Sequence, residues 1–445
     1  MVTALEPAGS DQPTVLLRMA DADDLYLSWR WAEDLAAPGV ARVPEQLVRQ
    51  ALAGLAAALP GGDATDTGAA GLTRALRTGH FADYEAELAF AELLSRIFLP
   101  YGLAVALHEM QLRGVRPHLR IQPSPRVAQI PWELLAPDRD LRFIELADIS
   151  VLAPATIVHA PTRRPRSWER TRELPIAAVL DPRIPGFRAD SMLGSVLGRI
   201  SPTDPVAGLV ANHARRHRLR PEISGPDAAV EAFRRTDLDR DWLAATLAAG
   251  ASRLLYVGHV TAAAPETGRS EDARLHLACT AETLGHTPPI RGHRPLSAKD
   301  LLVGTHGLHE QPRSGADHWP IPSRVALIAC ESGGDLRFGE ALGLASAMVH
   351  GGAELVTATR WVLPTDLAFQ RIAGVDRTVR PLQDAIVAID AAHETDQPVR
   401  AMGSWQRECL TAWRTDRSIE HSPLLWAAFA TVDATSALPA EVALD

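Results

Sequence analysis

Lysine is nearly missing from this chain: Lys299 is the only one, and arginine supplies the rest of its 45 basic side chains. That bias, with the many alanines, reads as a coding preference rather than a function. Positive charge is not in excess. The formal net charge is -9, which argues against a nucleic-acid surface. Cysteine is scarce. Cys279, Cys330 and Cys409 are the only three in 445 residues, too few for a disulfide framework, and they fit a reducing cytoplasm. Long apolar runs are lacking. The most apolar stretch, 90–107, is broken by Glu92, Arg96 and Pro100 and is too interrupted to span a bilayer. The first residues carry neither a basic n-region nor an apolar h-region, so no signal peptide is expected. What remains, 46% hydrophobic and 22% charged, is globular, with length for two or three lobes.

Two short apolar runs carry the chemistry. Residues 325–329 read V-A-L-I-A, followed by Cys330 and, past Glu331 and Ser332, by Gly333 and Gly334. A run that does not alternate fits a central parallel strand covered on both faces. Carboxyl ends of such strands are where α/β sheets bind ligands. Residues 253–257, R-L-L-Y-V, form a second such run, ended by Gly258 and His259. Neighbouring strands ending in His and Cys put an imidazole and a thiol across one crevice. The imidazole then lowers the thiol pKa or takes its proton, since the thiolate is the nucleophile. Taken singly, Cys330 reads as a buried core thiol and His259 as a loop residue.

Around these runs the chain reads as α/β. Residues 13–31 are one or two strands with a turn at 21–23; 44–59 and 83–99 are helices; 118–122 is a strand; 129–135 buries Trp132 in a helix or turn. Residues 162–172, T-R-R-P-R-S-W-E-R-T-R, read as a solvated basic linker, or else a processing or docking segment. Beyond it come a strand at 175–180, helices at 227–236 and 241–247, an exposed strand at 273–280, a short helix at 297–302 and a polar insertion at 303–319. After the Cys330 strand a helix is expected over 338–350, a strand over 354–360, helices over 379–393 and 398–415, and a last strand over 425–432. No internal repeat is visible.

Six segments, in order, resemble the CHAT family of caspase-like cysteine peptidases, in the separase, gingipain and caspase clan. They are I-P-W-E-L at 130–134, V-L-D-P at 179–182, Y-V-G-H at 256–259, A-C-E-S-G at 329–333, T-R-W-V-L-P-T-D at 359–366, and S-P-L-L-W-A-A-F at 422–429. The resemblance implies a mostly parallel sheet flanked by helices, a pseudo-caspase half preceding a catalytic half. Its parts are an N-terminal extension (1–81), a first CHAT part (82–161), a linker (162–174), a catalytic part (175–435) and a tail (436–445). It implies His259 as general base and Cys330 as nucleophile, with the Cys330 and Val260 amides binding the oxyanion. Val260 replaces the second glycine of the family's G-H-G, and a β-branched residue resists positive φ.

The same resemblance implies a cytoplasmic, latent endopeptidase in bacterial defence or cell death. Its expected partners are a protein or peptide substrate and an activating protein, without nucleic acid, membrane or cofactor. Asp366 is the leading acidic candidate for the pocket of the residue before the cleaved bond, with Glu331, Asp335 and Trp361 beside it. Its other reading is a helix N-cap. The rival function is a CHAT-fold pseudo-protease that binds and regulates. A second rival is a metal- or small-molecule-binding regulator built on the 303–319 insertion. His276-x-x-Cys279 and His306-x-x-His309, near His318, have zinc-like spacing. The first pair lies on a strand reading, which points the two side chains to opposite faces. No metal site is expected.

Overall fold

The computed structural model describes residues 12–34, 38–61, 68–225 and 228–435. Its strands are β1 (Thr14–Ala22), β2 (Asp24–Trp31), β3 (Gly39–Val43), β4 (His118–Gln122), β5 (Asp148–Leu152), β6 (Ile176–Leu180), β7 (Leu219–Arg220), β8 (Arg253–Val257), β9 (Val260–Thr261), β10 (Arg274–Leu275), β11 (Leu296–Ser297), β12 (Arg324–Ile328), β13 (Leu355–Thr359) and β14 (Phe429–Asp433). Eleven of them form one sheet in the order β3-β2-β1-β4-β5-β14-β13-β12-β8-β6-β7. Pairing is parallel except at β1–β2, β2–β3 and β13–β14. This is the mostly parallel α/β sheet flanked by helices that the family resemblance implies. β9, β10 and β11 make a small second sheet.

The central strands are apolar throughout because both faces are covered. On β8, Leu255 and Val257 face one core and Leu254 and Tyr256 the other; on β12, Ala326 and Ile328 oppose Val325 and Leu327. Helices Pro205–Arg215, Pro381–Glu394 and Pro398–Asp416 cover the first face through Val210, Ile389 and Leu410, among others. Helices Arg240–Ala249 and Leu344–His350 cover the second through Leu247 and Met348. The N-terminal strands belong to the same sheet, since β1 pairs with β4 along its length. β14, the last strand, lies between β5 and β13 and joins the two halves.

Several expectations are corrected. Residues 425–432 are not one strand: Pro423–Trp426 is a helical turn and β14 starts at Phe429. The helix expected over 338–350 begins only at Leu344, after a 3-10 turn Gly334–Arg337. The 273–280 strand is two residues long and buried rather than exposed. Of the 227–236 helix, the described part is one turn, Ala228–Glu231. The basic segment is largely exposed, as a solvated linker would be, but it is anchored at two points. Arg163 donates to the Val349 and Ala353 carbonyls, and Trp168 is buried with the Arg324 guanidinium 3.6 Å over its ring. The tail at 436–445 and part of the extension lie outside the described residues.

Candidate active site

Strand register brings three motif ends side by side. β6, β8 and β12 are consecutive parallel neighbours, with Leu180 opposite Val257 and Val257 opposite Ile328. The Asp181 amide donates to the Val257 carbonyl at 2.6 Å, and Gly258 to Ile328 at 3.3 Å. His259 and Cys330 each lie two residues beyond that register pair, so both follow the carboxyl ends of adjacent parallel strands. Gly258 makes this turn possible. A Cβ there would lie 2.8 Å from the Tyr256 hydroxyl oxygen, whose proton is shared between the His259 and His276 carbonyls.

The imidazole of His259 is held from behind. Its Nε2 is 3.0 Å from the Gly194 carbonyl. A carbonyl only accepts, so Nε2 carries the proton and Nδ1 keeps its lone pair, which a general base requires. Burial lowers the imidazole pKa, aided by the nearby Arg234 cation and opposed by Gly194 and Asp181. Cys330 is half-buried, and burial raises its thiol, as does the Glu331 charge; the Leu363 amide and its own amide oppose this. Among the described residues no hydrogen bond joins Cys330 to His259. Burial thus favours the neutral form of both groups.

Two backbone amides stand next to these side chains in the sequence. In the β9–β10 ladder His276 donates to His259 at 3.1 Å, which makes 259–276 the hydrogen-bonded pair and 260–275 the open one. The Val260 amide therefore points away from β10 and has no hydrogen-bond acceptor among the described residues. Val260 is not among the residues with positive φ, and its side chain is buried in the second core. The β-branched residue is thus accommodated as a strand residue. Among the described residues the Cys330 amide bonds no other residue and serves its own sulfur.

The turn after the thiol is tightly framed. Glu331 takes a left-handed φ of 51°, and its amide donates to the Trp361 carbonyl at 3.3 Å. Ser332 Oγ donates to the Leu327 carbonyl at 2.7 Å and accepts from the Thr359 amide at 3.0 Å. The segment that receives these bonds is fixed by Glu133, whose two oxygens each lie 2.9 Å from Arg360. The P-W-E-L and T-R-W motifs thus meet behind the cysteine turn.

The expected substrate residues divide. Trp361 is a core residue, 1% exposed, its Nε1 donating to the Leu424 carbonyl at 2.9 Å. Asp335 holds the start of helix Leu344–His350, accepting from the Ser346 amide (3.0 Å) and hydroxyl (2.6 Å). Glu331 pairs with Arg337 at 3.2 Å. Asp366 is not the N-cap of its own turn, a role that Thr365 takes. It accepts from the Leu382 amide at 2.8 Å, capping the neighbouring helix Pro381–Glu394, and its Oδ2 is buried without a partner. Burial pushes its carboxyl up to about 6.

No three potential ligands converge on a metal position among the described residues. His276 does not face Cys279. It meets His293, Nδ1 to Nε2 at 3.0 Å, while its Nε2 is 2.9 Å from Thr261 Oγ1 and His293 Nδ1 is 2.8 Å from the Cys279 carbonyl. The carbonyl fixes every proton in the chain: Thr261 donates to His276, His276 to His293, and His293 to Cys279. Alternation along the sequence had no means of pairing residues 276 and 293. Asp181 was legible as a strand end, but Gly194 and Arg234, which sit behind His259, carried no motif.

The model of the CHAT domain matches residues 88–434. Comparison with curated protein sequences found no match. Among solved structures, the separase–securin complex of Saccharomyces cerevisiae is similar, with 9% identity and a TM-score of 0.40 over 94% of this chain. The chain spans 30% of the length of that structure's chain. No single helix among the described residues is long and apolar enough to cross a membrane.

Proposed function

The chain belongs to the CHAT domain family, and on that premise we propose that it is a caspase-like cysteine endopeptidase, latent at rest. The observation that supports the proposal is that His259 and Cys330 follow the carboxyl ends of adjacent parallel strands β8 and β12. His259 Nδ1 takes the thiol proton, and the thiolate attacks the peptide carbonyl carbon. The Val260 and Cys330 amides hold the oxyanion. The imidazolium gives its proton to the departing amine, leaving a thioester. Water, deprotonated by His259, then releases the acid and restores the thiol.

The burial that favours the neutral thiol supports latency. A thiol raised by burial and not bonded to its base is a poor nucleophile, so an activating partner or the substrate itself must close the pair. Asp366 fits the pocket role, because a buried carboxylate oxygen without a partner suits a guanidinium or ammonium of the substrate. A bacterial defence or cell-death setting, in the cytoplasm, is the reading the family suggests.

The second reading is a pseudo-protease that keeps the fold for binding, favoured by the missing thiol–imidazole bond. A thiol-directed peptidyl electrophile separates the two. Labelling at Cys330 that is lost in His259→Ala is the expected result. Equal labelling of Cys409, or labelling indifferent to His259, would leave the pseudo-protease. Cys409 is a stringent control, its thiol pushed up to about 12 by burial.

A further inference from the structure

We infer that Asp181 and Arg234 form a charge-balanced pair that positions His259 through the Gly194 carbonyl. The inference rests on the reading of His259 as the base and adds residues with no place in the dyad. Arg234 Nη1 lies 3.0 Å from the Gly194 oxygen, the same oxygen that accepts from His259 Nε2 at 3.0 Å. A carbonyl has two lone pairs, and here one serves the guanidinium and the other the imidazole. The imidazole cannot swing without losing a partner that the guanidinium keeps in place.

Asp181 fixes the rest. It is 1% exposed and pairs with Arg234 at 3.2 Å. It also accepts from Ser195 Oγ (2.6 Å) and from the Val196 (3.0 Å) and Leu197 (3.4 Å) amides, the three residues after Gly194. Gly194 has no room to be anything else, since a Cβ there would lie 2.2 Å from the Ala189 oxygen. Asp181 and Arg234 both stand in the left-handed region, with φ of 47° and 57°, and the Arg234 amide donates to the Asp181 carbonyl at 3.2 Å. A bulge of backbone is thus built to bring one carbonyl to one imidazole.

The charges have opposite effects on the base. Arg234 disfavours the imidazolium and Asp181 favours it. The other titratable group that acts on His259 is His276, one residue beyond β10, which burial keeps neutral. The pair therefore supplies orientation while leaving the base little perturbed by net charge.

The test titrates the His259 ring by NMR in protein carrying carbon-labelled histidine, with His259→Asn identifying the signal. In Arg234→Gln the His259 pKa should rise, in Asp181→Asn it should fall, and in the double variant it should return toward wild type. Arg234→Lys keeps the cation, so its titration should stay near wild type. Its iodoacetamide alkylation at Cys330 should nonetheless drop roughly tenfold to a hundredfold, the scale of a misplaced catalytic group. Should Arg234→Gln fail to fold, Arg234→Lys and Asp181→Asn carry the comparison. Single variants that leave the titration unmoved, or shift it in the same direction, overturn the inference. Failure of the dyad shows separately, as Cys330 alkylation that ignores His259→Ala in an otherwise wild-type chain.

Discussion

At the residue scale, Asp366 is held against its own preference. Its folded pKa of about 6 lies above the ordinary carboxylate value of 3.8. The folded state therefore binds more protons than the unfolded one between those values, and stability falls as pH rises through that window. By neutral pH the burden is about 3 kcal/mol at most. Asp366→Asn keeps the acceptor for Leu382 and sheds the charge. Denaturant unfolding at pH 7 should show the variant more stable, with a flatter pH dependence between 4 and 6. Peptide-library profiling should show it losing bonds preceded by arginine, while a small uncharged electrophile still labels Cys330. A wild type that prefers apolar residues would return Asp366 to the cap alone. The sequence offered a pocket or a local cap, whereas the cap it makes lies on a helix 16 residues further on. Local spacing does not reveal such a contact.

At the scale of elements, the motifs are joints between strands. Glu133 and Arg360, side chains 3% and 5% exposed, are a buried two-bond pair between segments 227 residues apart. Removing one partner strands the other, so Glu133→Ala or Arg360→Met should each cost about 3–5 kcal/mol in chemical denaturation. The joint apolar replacement Glu133→Leu with Arg360→Met should recover much of that. The small sheet has its own signature. Burial depresses His276 to about 3 and lowers His293 as well. Their unfolded value is near 6.5, so the unfolded state binds the extra protons, and stability is lost as pH falls below about 6.5. The full slope is about 1.4 kcal/mol per pH unit for each group. Melting curves from pH 7.5 to 4.5 should steepen in wild type and flatten in His276→Gln/His293→Gln. The two strand ends that carry His259 and Cys330 were legible because a central parallel strand cannot hide its apolar run. The alternating 273–280 stretch misled, because the 281–296 segment folds over the face that alternation left to solvent.

At the scale of the molecule, strands were readable one by one, but their order was not, because it is set by pairings far apart in sequence. The N-terminal lobe shows what that order entails. β1 covers the edge of β4, Ser422 Oγ donates to the Phe81 carbonyl, and the Phe81 ring lies 6.3 Å from that of Trp361. Deleting residues 1–81 should lower the melting midpoint and expose β4 to association; an unchanged midpoint in a monomeric product would make the lobe a separate module. β14 has a further consequence, one of timing. It pairs with β5 on one side and β13 on the other, so the halves of the sheet have no strand between them until residues 429–433 have left the ribosome. Contacts of such long sequence separation form late and slowly. A nascent chain therefore carries Cys330 and His259 on their own half of the sheet for about a hundred residues of synthesis before the other half can be joined to it. The half of the sheet that holds them would wait without its other half while the cell is still making the chain.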